Sequence, residues 1–340
     1  MRPGMHYVFV FLLVALFLVA APAGGQASVG LPTYTAGDFW TYDLALLAPL
    51  DLPENTSAAF TLAGNSTVTI QESEMRSIGG EIRSVFQATH ALRASAVGSA
   101  SIAFFDETTN ATFTAVASVD ETVYLDTEGL EVWERHTEFT LDASVDLEIG
   151  GVTVSTSIEA NGTVDLILNY TVNTWNFPLT VGNTGEERVN ATGSSFFQLT
   201  FLDDVNTSST PLAFNATSSF EALSEETIDV PAGSFTTVVV ANTPVAEEPL
   251  MPTNVTTLAY WSGAVGAPVR YVVTNETGEA QVELVLTSYR YQAAESISIL
   301  GLDIAVALPI LVGVAAVAII LAVVLGRRRR RPAAPPPPGP

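Results

Sequence analysis

From Tyr34 to Tyr291 apolar residues return at every second position and almost nowhere at the three-to-four spacing of a helix. Successive side chains of a strand point to opposite faces, so this alternation predicts half-buried β-strands separated by Gly, Pro, Asn and Asp turns. In the clearest stretch Phe139, Leu141, Ala143, Val145 and Leu147 alternate with Thr140, Asp142, Ser144, Asp146 and Glu148. Gly150-Gly151 then turns the chain into the run from Val152 to Glu159. Pairing Ile149 with Val152 across a two-residue loop sets Leu147 opposite Val154 and keeps the apolar positions on one face. At Asn161-Gly162 a two-residue loop would set Ile158 against Asp165 and mix the faces. A three-residue loop, Ala160-Asn161-Gly162 with a left-handed glycine, pairs Ile158 with Val164 instead. The pattern therefore predicts a three-strand meander with a bulged second turn. The run from Gln281 to Tyr291 alternates in the same way.

Two stretches break this period. Ile304 to Leu325 carries no charged side chain, and it is closed by Gly326 and by Arg327, Arg328, Arg329, Arg330 and Arg331. At about 1.5 Å per residue a helix over this run spans roughly 33 Å, against a hydrocarbon core of about 30 Å. Basic residues beside a span stay on the cytoplasmic side, so a transmembrane helix over 303–326 puts the tail 327–340 inside and the preceding chain outside. At the other end Arg2, an apolar run from Tyr7 to Ala21 and the small residues to Ala27 have the order of a secretory signal peptide, 1–27. The expected organisation is a signal peptide, an extracellular β-rich region 28–298 with a possible subdivision near 175–190, one membrane span and a short Arg- and Pro-rich tail. The fold class expected for the ectodomain is all-β: a large, strongly curved antiparallel sheet, either a half-barrel or a sandwich.

Charge sharpens the picture. The chain has a formal net charge of −23, and all 36 acidic residues precede Ile304, whereas Arg2 and the five arginines after the span account for six of the 13 basic ones. No lysine occurs. Such a surface repels nucleic acid and anionic lipid heads, and it suits a salty exterior in which dense like charge is screened. There is no cysteine, which excludes a lipoprotein attachment thiol, a disulfide framework and thiolate metal sites. Glycosylation sequons fall at Asn55, Asn65, Asn110, Asn161, Asn169, Asn190, Asn206, Asn215, Asn254 and Asn275. Asn161 stands out for its place at the expected hairpin tip, and Asn169 for its place on the polar face.

Candidate chemistry is sparse. His90 and His136 are the histidines outside the signal peptide, and the serines sit in no Gly-X-Ser-X-Gly elbow. Adjacent carboxylates such as Asp203-Asp204, Glu186-Glu187 and Glu247-Glu248 point to opposite faces of a strand and read as solvated surface. Asp106-Glu107 with Asn110, and Asp203-Asp204 with Asn206, offer oxygens to a loose cation site but lack the spacing of an EF-hand. The expectation is a protein without catalytic, cofactor or metal residues.

Four aromatic or glycine motifs remain: Tyr34 to Tyr42, Asn176 to Asn183, Val230-Pro231-Ala232-Gly233-Ser234-Phe235, and Ala259 to Tyr271. Physically they join strands: Pro231-Ala232-Gly233 is a tight turn, and Val265-Gly266 separates two strands. Their order resembles that of prokaryotic, archaeal secreted or membrane-anchored proteins of unknown function with a curved antiparallel sheet, similar to the half-barrel of the periplasmic lipoprotein-carrier (LolA-like) fold. The resemblance implies a concave face and supplies no catalytic residues. Two functions follow as expectations. One is a non-enzymatic surface scaffold, anchored in membrane lipid by its helix, whose acidic, glycosylated face meets surface proteins or glycans. The other is a binder holding an apolar ligand, a lipid or isoprenoid, in the concavity.

Overall fold

The computed structural model describes residues 29–46, 56–104, 107–149, 152–174, 177–201, 204–244, 256–275 and 277–291. The signal peptide, the span from Ile304 to Leu325 and the tail lie outside the described residues, as do Asn55, Asn254, Asp106 and Asp203. Among the described residues no helix is long and apolar enough to cross a membrane.

The described chain forms twelve strands: β1 (Phe39–Leu46), β2 (Thr56–Ile78), β3 (Glu81–Phe104), β4 (Glu107–Asp126), β5 (Val132–Ile149), β6 (Val152–Asn173), β7 (Thr184–Phe201), β8 (Asp204–Val230), β9 (Gly233–Pro244), β10 (Thr256–Ser262), β11 (Ala267–Thr274) and β12 (Ala280–Arg290). Each pairs antiparallel with the next, as short connections require. β1 pairs with both β2 and β12, with Trp40 opposite Val68 on one side and Tyr289 on the other, and this closes the sheet into a barrel. The all-β, antiparallel, curved sheet is as expected. The half-barrel and the sandwich are both corrected, because the two edges that either would leave bare are joined through β1.

The alternation sets the wall. Ala88, His90, Leu92, Ala94 and Ala96 of β3 face inward, and the matching inward positions of β4 are Ala111, Phe113, Ala115, Ala117, Val119, Glu121 and Val123. Alanine-lined walls with large residues from other strands between them fill the interior as one contiguous buried cluster, in which Trp40, Tyr42, Ile70, Leu125, Leu147 and Leu166 are almost wholly buried.

Both faces of the β5–β6 hairpin follow the expected register, with Ile149 opposite Val152 and Leu147 opposite Val154. The bulged loop at Ala160-Asn161-Gly162 is corrected: β6 runs unbroken from Val152 to Asn173. Ile158 and Val164 do face the same side, but as positions of one strand rather than partners across a turn. Gly162 lies inward, opposite Phe139 of β5 on one side and Phe197 of β7 on the other, and those rings come within 6.1 Å of each other. A Cβ on Gly162 would sit 2.6 Å from the Phe139 ring. The glycine leaves its side-chain volume to the Phe139 ring and to the Phe196 carbonyl oxygen, which that Cβ would meet closer still, rather than bending the chain.

The four sequence motifs converge at one end of the barrel and form its floor. Val29 and Leu179 exchange two backbone hydrogen bonds, at 3.1 and 2.7 Å, tying the segment before β1 to the loop before β7. Gly182 N–H donates to the Ala222 carbonyl at 2.8 Å, and Ala222 N–H donates to Asn183 at 2.9 Å, fixing that loop to β8. From β1, Trp40 Nε1 donates to the Val265 carbonyl at 2.7 Å, and Tyr42 Oη donates to the Pro268 carbonyl at 2.9 Å. Tyr34 packs edge-on against Trp40 and Phe86, with centroids 5.4 and 5.5 Å apart. At the opposite end the long strands β2–β8 continue past the short ones. There the β8 residues Asp204–Thr217 are paired with β7 alone among the described residues.

Candidate functional site

Just above the floor the barrel wall turns polar. Ser66 of β2, His90 of β3, Glu121 of β4, and Arg135 and Thr137 of β5 all point inward and retain 0, 7, 6, 4 and 1 % of their exposure. The register makes them neighbours, since His90 lies opposite Glu121 and Glu121 lies opposite Thr137. Ser66 Oγ is 3.0 Å from His90 Nε2, and His90 Nδ1 is 3.3 Å from Glu121 Oε2. Glu121 Oε1 accepts from Thr137 Oγ1 at 3.0 Å and pairs with Arg135 Nε at 3.0 Å. Burial pushes the Glu121 carboxyl up, and it is the largest single influence. The Arg135 guanidinium, followed by His90 and Thr137, outweighs it and holds the carboxyl at about 2. The group is therefore an anion facing a guanidinium deep in an apolar barrel.

The polar belt continues on β6–β8. The expectation that Glu186-Glu187 is solvated surface is corrected at Glu187, which is buried on the inward period of β7. It lies opposite Ser218, whose Oγ donates to Glu187 Oε2 at 3.4 Å, and it is hydrogen-bonded to Tyr170. Tyr170 Oη in turn accepts from Val132 N–H at 3.2 Å. Among the described residues no guanidinium compensates here. Burial pushes the Glu187 carboxyl up to about 8, against the smaller opposing pull of Tyr170 and Ser218. The unfolded carboxyl titrates near 4.5. Folding accordingly takes up a proton between these values, and stability falls as pH rises from about 4.5 to about 8. Glu187→Gln is expected to abolish this component. The stability gain of the variant over the parent should grow between pH 5 and pH 9 by a few kcal/mol, on the order of 1.4 kcal/mol for each pH step of one across the titrating interval. Urea midpoints at pH 5, 7 and 9 measure it, and a gap that stays constant with pH would contradict the assignment.

Chemically, Ser66, His90 and Glu121 have the relative placing of nucleophile, base and orienting acid. Their setting is that of a structural network. Ser66 sits mid-strand with β1 on one side and β3 on the other, so the nearby backbone N–H groups serve the two ladders rather than an oxyanion. Its hydroxyl is sealed from solvent and Glu121 is shared with Arg135 and Thr137. Of this group, only His90 stands out from the amino-acid sequence itself. The signal that reveals the rest is parity: Glu121 falls between Val119 and Val123, and His90 between Ala88 and Leu92, each on the inward period of its strand. His136 lies outside, with Nδ1 2.5 Å from Asp165 Oδ1 and Nε2 3.3 Å from Glu138 Oε1. Hydrogen bonding to Asp165 raises its pKa. Among the described residues no three acidic or histidine side chains are grouped as metal ligands.

The outer face carries the sequons. Asn65, Asn110, Asn161, Asn169, Asn190 and Asn215 are exposed on outward positions. Asn161 is therefore exposed, though on a strand and not at a hairpin tip. Asn206 is exposed on an inward position at the far end of β8, opposite Leu199. Asn275 is occupied: its Oδ1 accepts from Thr277 N–H, Thr277 Oγ1 and Glu279 N–H, and its Nδ2 donates to Glu279 Oε2 at 3.2 Å.

No family model matches the chain, and no curated protein does. A solved structure from Bacteroides fragilis, described as an exported protein with a YmcC-like fold, aligns with 78 % of this chain and 100 % of its own at 11 % identity and a TM-score of 0.31. That likeness is too slight to transfer a fold or a role.

Proposed function

We propose that this chain is a non-enzymatic cell-surface protein, held by a single C-terminal membrane span, whose closed β-barrel acts as a rigid scaffold presenting an acidic, sequon-bearing exterior. One observation carries the reading. The concavity that would hold an apolar ligand in a half-barrel is here enclosed by β1 and filled by the chain's own buried cluster, while the side chains that bear chemistry inside it are engaged with one another. What is left to meet a partner is the outside, rich in carboxylates, hydroxyls and exposed amides. The apolar run from Ile304 to Leu325, with Arg327 to Arg331 behind it, supports an ectodomain facing outward and a tail facing inward.

Protease added to intact cells should remove the barrel and leave the short tail. Survival of the full-length chain would contradict the topology. Native mass spectrometry of the detergent-extracted protein should give the mass of chain and sugars alone. A reproducible co-purifying lipid or isoprenoid would favour the ligand-binding reading. Ester hydrolysis by the purified ectodomain that disappears in Ser66→Ala and in His90→Gln, both still folded, would overturn the non-enzymatic one.

A further inference from the structure

We infer that Asn169, Asn190 and Asn215 form one N-glycan acceptor row on the outside of the barrel, in which a sugar on the middle strand excludes a sugar on either neighbour. The inference rests on the reading of the barrel as an outer-surface protein. Register carries it: Asn169 of β6 lies directly opposite Asn190 of β7, and Asn190 directly opposite Asn215 of β8. Sequons far apart in the chain thus fall into one line across three adjacent strands. Each is exposed and each is followed at the second position by threonine, namely Thr171, Thr192 and Thr217. Asn190 and Asn215 each share a face with the threonine two residues on. At Asn169, where the register shifts between Tyr170 and Val172, Thr171 is still exposed, its Oγ1 donating to the Arg188 carbonyl at 3.2 Å. The residues between them, Tyr170, Ala191 and Ala216, point inward. Among the described residues none of the three amides is engaged by another side chain, in contrast to the bound amide of Asn275.

Directly opposed residues have Cβ atoms about 4.5–5.5 Å apart. A sugar ring with its substituents is broader than that gap, so adjacent positions of the row compete for the same space, whereas Asn169 and Asn215 are two strands apart and do not. The donor belongs to the class of polyprenyl phosphate- or diphosphate-linked oligosaccharides. Nδ2 forms a bond to the anomeric carbon, the carbon–oxygen bond to the lipid phosphate breaks, the lipid phosphate leaves with the electron pair, and one Nδ2 proton passes to a base of the transferase. A strand zipped between two neighbours cannot enter a transferase cleft, so transfer precedes pairing, and molecules with adjacent sugars do not complete the barrel.

The test is intact-mass and glycopeptide mass spectrometry of the folded full-length protein from a host that N-glycosylates. Sugars are expected on the row, never on Asn190 together with Asn169 or Asn215 in one molecule. Asn190→Gln, and separately Thr192→Ala, should raise severalfold the share of molecules carrying both Asn169 and Asn215 sugars. A folded molecule with sugars on Asn190 and a neighbour overturns the proposal, as does a bare row while Asn65 or Asn161 is occupied, or a protein with no sugar at all. Protease shaving of the same cells separates the failures: a degraded ectodomain with a bare row sinks the row and leaves the surface reading, whereas a protected ectodomain sinks both.

Discussion

Arg135→Met is expected to cost about 3–5 kcal/mol at neutral pH, the loss seen when one partner of a buried ion pair is removed and the other stays. In a domain of this size that is a fall of roughly 10 °C in the thermal midpoint. The reason lies in the balance at Glu121. Burial alone would drive its carboxyl toward the neutral form, and the guanidinium is the largest of the opposing influences that together with His90 and Thr137 reverse the direction. With methionine at 135 the carboxylate keeps His90 and Thr137, yet it loses its first counter-charge in an environment where both partners are at most 6 % exposed. The pH profile carries the sign. A carboxyl held at about 2, below its ordinary 4.5, contributes stability that is complete above about pH 4.5 and is lost as pH falls toward 2. The gap between parent and variant should therefore be widest near neutrality and shrink in acid. Glu121→Gln combined with Arg135→Met should recover most of the loss, because no charge is then left unpaired. Urea titrations followed by tryptophan fluorescence at pH 7 and pH 3 measure the parent and both variants. A single variant within about 1 kcal/mol of the parent would show that the pair is not what holds the anion in place.

What the chain discloses on inspection is what its local period controls. The strand character, the facing of Leu147 with Val154 and the turns at Gly150-Gly151 and Pro231-Ala232 follow from parity and turn chemistry, and the strand pairs on either side of each turn agree. Closure is not local. It depends on Trp40 finding Tyr289 about 250 residues along the chain, and no periodicity within β1 or β12 specifies that choice. The aromatic and glycine motifs were legible as strand connections. That they also seal one end of the barrel depends on contacts such as Trp40 with Val265, which exist only once the sheet has closed. The polar belt was half-legible: charged residues on an inward period are a readable anomaly, but the partner of each lies on another strand. The acceptor row is similar, since three sequons are plain in sequence and their alignment is a property of register alone.

Asn161-Gly162 has the composition of a hairpin turn yet lies within a strand, and the difference yields a sharp test. An Asn-Gly pair between apolar runs is a strong hairpin signal, because both residues tolerate the left-handed backbone of a tight turn. Here Gly162 is in extended strand, and what it supplies is the missing Cβ. That atom would meet the Phe196 carbonyl oxygen of β7 and the Phe139 ring of β5 together. The ring can shift about its own side-chain torsions, whereas the carbonyl belongs to the ladder and cannot retreat without parting β6 from β7. Gly162→Ala should therefore destabilise the barrel by about 3 kcal/mol or more, at the upper end of overpacking costs. Asn161→Ala, one residue away on the exposed outer face, should change stability by less than about 0.5 kcal/mol. A hairpin at this position predicts another pattern: both substitutions would be costly, since each residue would hold a turn conformation that alanine disfavours. Phe139→Leu should relieve only part of the Gly162→Ala penalty, because it frees the ring side and leaves the Phe196 carbonyl where it is. Denaturant midpoints for the three variants and the Gly162→Ala/Phe139→Leu pair settle the matter, and a full rescue by Phe139→Leu would place the obstruction in the ring rather than in the backbone of β7.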